Sequence, residues 1–142
     1  MNATVLIGRI LFGGFFLMSG ITHFAKLEAM TGYAKYKKLP AAKLGVLLSG
    51  LVLVISGLYI ILGYYADLGA LLLAIFLVLT AVIFHNFWAE TDATAKQTEM
   101  TAFMKDIALA GGALIVFAIV AKQGGEIDFG WVISKAHIAL WK

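Results

Sequence analysis

The chain has no cysteine. That excludes disulfides, thiolate zinc sites, cysteine-ligated iron–sulfur clusters and any cysteine nucleophile. Charge is also scarce, at 13% of residues against about a quarter in soluble domains. Four long runs carry almost none of it. The sequence has no G-x-G-x-x-G, P-loop or nucleophile elbow, so soluble nucleotide or hydrolase chemistry has no support. It also lacks metal-ligand spacings such as H-x₃-H or E-x-x-H, and no metal site is expected. Proline occurs once, as Pro40, between a lysine-rich segment and the next apolar run.

What remains is apolar. Of 142 residues, 62% are hydrophobic, and mean hydropathy is +0.95. A soluble chain this short could not bury that much apolar surface in one core. Lipid is therefore the solvent for much of it. The net charge of +3 and a pI near 9.2 are explained by membrane topology and anionic headgroups rather than nucleic acid.

The expected fold is an all-α, integral membrane four-helix bundle. Spans are expected at about residues 5–24, 44–62, 68–84 and 103–121. The first run is longer than the roughly 7–15 residues of a signal-peptide core and lacks a basic segment before it, so it reads as a retained helix. Residues 1–124 form the four-helix domain, and residues 125–142 an interfacial tail bearing Trp131 and Trp141. The first and third loops fall on one side with Lys26, Lys35, Lys37, Lys38, Lys43, Lys96 and Lys105. Those are seven of the eleven basic residues, which favours the cytoplasm for that side.

In the first span Arg9, Gly13, Phe16, Gly20 and His23 share one face. In the second, Ser49/Ser56 and Gly50/Gly57 repeat at seven, a ridge of small residues suited to close helix contact. An offset of 62 residues superposes His23 on His85, Lys43 on Lys105, Leu47 on Leu109 and Gly50 on Gly112. Such a repeat implies two parallel helical hairpins.

The chemistry-bearing stretch is His85-Asn86-Phe87-Trp88 with the polar segment after it. His23 and His85 end the first and third spans, where the helix dipole favours a cation. Lys43 and Lys105 begin the second and fourth. The expected binding pocket is His23, Lys43, His85, Asn86, Trp88, Glu99, Lys105 and Asp106, able to take an anion, a quinone head group or a proton. The alternative for each residue singly is an interfacial anchor or a helix-start salt bridge. Arg9 is an intramembrane charge that either faces the bundle or snorkels to the surface; Asp67, Glu126 and Asp128 lie on its side.

Several stretches resemble one family. They are Arg9-Ile10-Leu11-Phe12-Gly13, Ser19-Gly20-Ile21-Thr22-His23-Phe24, His85-Asn86-Phe87-Trp88, and Glu99-Met100 through Phe103-Met104-Lys105-Asp106-Ile107-Ala108-Leu109. They are similar to the DoxX family of bacterial membrane proteins. Members often have asparagine after the lysine, where this chain has Asp106. The resemblance implies a multi-pass bacterial inner-membrane protein. The family takes its name from a thiosulfate:quinone oxidoreductase subunit, which implies an accessory subunit of a quinone- or thiol-linked redox complex, with quinone as the one cofactor to consider. A non-catalytic scaffold or assembly factor and a small-anion transporter are the alternatives. Whether the chain is itself an enzyme is left open. Partners to expect are the lipid bilayer, a membrane or redox protein, and a second copy in a homo-oligomer.

Overall fold

The computed structural model describes residues 3–122. The expected interfacial tail, residues 125–142, lies outside the described residues, as do Glu126 and Asp128. Five helices follow in order: α1 Ala3–Ala25, α2 Leu27–Tyr36, α3 Ala42–Leu62, α4 Ala66–Phe84 and α5 Ala93–Lys122. A 3₁₀ turn, Phe87–Ala89, joins α4 to α5. Four of them, all but α2, are long and apolar enough to cross a membrane. The protein is thus an all-α, multi-pass membrane bundle.

The helices meet through small residues. α1 lies against α3 with Gly13 facing Gly57 and Gly20 facing Gly50. A methyl group at either Gly13 or Gly20 would sit 2.8 Å from the opposing carbonyl oxygen. Lipid tails are as apolar as leucine, so this contact is stabilised by dispersion at close approach rather than by removal from water. α4 lies against α5, and α3 also touches α4, where Gly69 meets the backbone of Ser56. The shared core contains Phe16, Leu53, Ile60, Leu73, Leu77, Ala110 and Ala113. Outward-facing Leu11, Met18, Leu48, Leu79 and Ile115 are exposed, as lipid-facing side chains are.

The stripe expected on α1 is the face that packs: Arg9, Gly13, Phe16 and Gly20 are its buried residues. Arg9 is 4% exposed, so it faces the bundle instead of snorkelling. Its Nε donates to Ile60 O at 3.0 Å and its Nη2 to Ile61 O at 2.7 Å. These carbonyls belong to the last turn of α3, where the negative end of the helix dipole favours a cation. The turn that follows needs Gly63. It has φ +67°, and a Cβ there would lie 2.6 Å from Arg9 Nη2.

Two segments differ from the sequence expectation. The lysine-rich first loop contains a helix, α2. Leu27, Met30, Thr31 and Ala34 recur at helical spacing and give it one apolar face. That face packs on Ala42, Val46, Leu39 and Phe84. The helix stops before Pro40, with Lys38 and Ala41 in left-handed backbone at φ 59° and 49°. The second difference is α5. It begins ten residues before the expected span because Asp92 Oδ2 accepts the Ala95 N–H at 2.8 Å, a side-chain cap. At 30 residues it is about 45 Å long against a hydrocarbon core of about 30 Å. Its polar first turns therefore rise beyond the hydrocarbon.

Candidate functional site

α4 ends at Phe84 and is capped by His85, whose backbone N–H still bonds to Ala81 O at 3.2 Å. The chain then reverses through Asn86 and the 3₁₀ turn into α5. That reversal brings Glu99 back over the histidine. His85 Nδ1 donates to Glu99 Oε2 at 2.8 Å; a carboxylate only accepts, so the proton is on Nδ1. The other ring nitrogen, Nε2, lies 3.5 Å from Asp106 Oδ2. Glu99 and Asp106 are seven residues apart on α5, two turns along one face, and His85 stands between them. A bare Nε2 lone pair facing a carboxylate is repulsive, so a proton belongs to the His85–Asp106 pair. Among the described residues no three His, Asp or Glu side chains converge as metal ligands would.

Beside this pair lies a cation. Lys37, the residue after α2, has a side chain only 4% exposed. Its Nζ donates to Asn86 Oδ1 at 2.9 Å and Glu90 Oε1 at 3.0 Å, and lies 3.6 Å from Glu99 Oε1. The Tyr33 and Tyr36 rings each lie 5.8 Å from it. The Tyr33 hydroxyl is 3.0 Å from Glu99 Oε1 and 3.2 Å from Phe84 O. Burial pushes this phenol well above the ordinary tyrosine range, and the bond to Glu99 and the charges of Glu99 and Glu90 add to the effect. Lys37 thus ties α2 to the α4–α5 turn. Glu99 is held from three directions.

Below this network is a cavity of about 230 Å³. Phe15, Phe16, Leu53, Phe76, Leu77 and Phe84 make its apolar wall, and Ser19, Ser49 and Thr80 add hydroxyls. His23, Tyr33, His85, Lys105 and Asp106 also line it. His23 Nδ1 donates to Ser19 O at 2.8 Å, which leaves Nε2 as the nitrogen available to a ligand.

The sequence-expected residues divide into three groups. His23, His85, Lys105 and Asp106 line the cavity. Asn86 and Glu99 stand behind it, holding Lys37 and His85. Lys43 and Trp88 are not brought into the lining. Lys43 is exposed in the first turn of α3. Trp88 is 55% exposed and meets Phe87 and Phe103 edge-on, as an interfacial anchor would. Lys105 is half in solvent, its Nζ 4.0 Å from Asp106 Oδ1. Tyr33, Lys37 and Glu90 join the network although nothing in their own sequence spacing marks them for the site. Lys37 reads as one more topological lysine. Only the apolar spacing of α2 signals that it is carried inward.

The fold is that of an α-helical multi-pass membrane protein, with a cavity lined at one end by His23, His85, Lys105 and Asp106. The chain belongs to the DoxX family, whose domain matches residues 4–86, from α1 to Asn86 just after α4. The match ends before Glu99 and Asp106, so α5's share of the site lies beyond it. No curated protein and no solved structure matches the chain.

Proposed function

We propose that this DoxX-family protein is an accessory subunit of a quinone- or thiol-linked redox complex in the bacterial inner membrane, and that its cavity takes a quinone head group. The observation that carries the proposal is His85: fixed by Glu99 through Nδ1, it presents Nε2 to Asp106 at the lining of a mainly apolar cavity with four phenylalanines. A quinone head is a flat apolar ring with carbonyl acceptors at its ends. The cavity offers matching chemistry, with phenylalanine walls and imidazole and hydroxyl donors at the polar end.

A bound quinone takes up two electrons and two protons to become a quinol. His85 Nε2 and the hydroxyls of Ser19 and Thr80 are the donors toward the carbonyls, and His23 Nε2, an acceptor, takes the hydroxyl of the quinol once it forms. His85 and Asp106 keep a proton at Nε2–Oδ2, and Glu99 fixes the imidazole so that this nitrogen faces inward. Tyr33 and Lys37 steady Glu99. The chain has no thiol to carry electrons, so the proposal assigns electron supply to a partner subunit and proton supply to this one.

The transporter alternative needs a water path from Arg9 to His23. That face of α1 is packed on α3, with Phe16 1% exposed, which favours the quinone reading. The scaffold alternative draws on the exposed lysines Lys26, Lys35 and Lys38 around α2; crosslinks from these that always reach the same non-redox protein would favour it. For the quinone reading, solvent extraction of the protein purified from native membranes should yield quinone near one per chain, lost in His85→Ala. Repeated preparations of folded wild-type protein without quinone would overturn it.

A further inference from the structure

The cavity does not end at the bundle. A shallow groove of about 680 Å³ runs along the lipid side of α1, over Ile10, Leu11, Gly14 and Met18. Phe15, Ser19, His23 and Met30 line both the groove and the cavity, so the two meet along one seam between α1 and α2. We infer that the ligand is lipid-tailed and enters sideways from the bilayer, with its head in the cavity and its tail in the α1 groove. The inference rests on the quinone reading above and names the class: a quinone bearing an isoprenoid or alkyl tail, not a water-soluble one.

The chemistry changes along the path as such an amphiphile requires. At the seam stand His23, whose Nε2 is the available nitrogen, and Ser19. Beyond them the groove is apolar, and its residues Leu11 and Met18 are 70% and 62% exposed to lipid. From Ser19 to Leu11 is about 12 Å of helix, enough for the first units of a tail, which then continues into the bilayer. Gly14 makes the depression. A Cβ built there meets nothing within 4 Å, whereas one at neighbouring Gly13 strikes α3. Gly13 is therefore explained by helix packing and Gly14 is not. Glycine inside a helix is otherwise disfavoured relative to alanine.

The test uses the full chain in lipid nanodiscs, titrated calorimetrically with a decyl-tailed benzoquinone and with its tail-less methyl analogue. Gly14→Leu fills the groove without touching α3. It should weaken the tailed quinone about tenfold, the contact of roughly two methylene groups. The tail-less analogue should bind it as it binds wild type. If wild type binds both probes and Gly14→Leu alters neither, or weakens both equally, lateral entry is overturned while the head-group reading stands. If wild type binds neither, the head-group reading fails and the inference with it. A diazirine at the end of a short tail gives a readout without substitution. Adducts within residues 10–18 support the inference; adducts confined to α4 or α5 overturn it.

Discussion

His85 Nδ1 and Glu99 Oε2 are 2.8 Å apart, joined across fourteen residues and the whole α4–α5 turn. This bond decides which face of the imidazole meets Asp106 and the cavity. Weakening it without removing it should loosen the ring. Glu99→Gln keeps an acceptor but loses the charge, a difference of about 1 kcal/mol in hydrogen-bond strength. Quinone affinity should fall about fivefold. Titration of the two proteins measures this; equal affinities would mean that the orientation of His85 does not matter to the ligand.

Lys37 is a nearly buried cation facing two carboxylates. Lys37→Met leaves Glu90 and Glu99 facing each other without it, and should cost about 3 kcal/mol. Lys38→Met, one residue on and exposed, should change stability by less than about 0.5 kcal/mol. Unfolding in detergent separates the two. Adding Glu90→Gln to Lys37→Met should recover part of the loss, because it removes one of the orphaned charges.

The α1–α3 seam makes adjacent glycines unequal. Gly13→Ala puts a methyl 2.8 Å from Gly57 O, so the helices must separate, at a cost of about 1–3 kcal/mol. Gly14→Ala meets nothing and should leave stability unchanged or slightly raised. Thermal unfolding of the two variants side by side reads this; equal losses would place the seam elsewhere.

Tyr33 supplies a pH signature. Its phenol ionises well above the ordinary range, held neutral by burial and by Glu99. Because the folded-state value lies above the unfolded one, neutral Tyr33 stabilises the fold throughout the range below about pH 10. That contribution is lost as pH rises through the raised value. Ultraviolet titration of wild type minus Tyr33→Phe isolates this tyrosine among five. In a Glu99→Gln background its midpoint should move to lower pH. No movement would show that Glu99 does not act on it.

The spanning helices were legible because length and hydropathy leave a chain this poor in charge no other solvent than lipid. The packed face of α1 was legible too. Arg9, Gly13, Phe16 and Gly20 recur at helical spacing, and small residues only pay off at close contact. The Gly50/Gly57 ridge on α3 is its counterpart. What escaped was polar. α2 is hidden by its lysines, which read as a solvated loop although Leu27, Met30, Thr31 and Ala34 mark an apolar face. The early start of α5 rests on one cap, Asp92. The offset of 62 residues equates Lys43 with Lys105 but not their surroundings: Lys105 is twelve residues beyond the start of its helix and Lys43 only one. Pro40 breaks the first hairpin where α5 runs on unbroken through Ala102. So Lys105 lines the cavity, and Lys43 faces out.

The most direct measurement is nitrogen NMR on protein labelled only at histidine, of which the chain has three. Signals of His23 and His85 are assigned through His23→Gln and His85→Gln, and a short-tailed quinone is added in nanodiscs. The cavity account predicts that both signals shift together and saturate near one quinone per chain. If both stay fixed while quinone is present in excess, the cavity between His23 and His85 is not a quinone site.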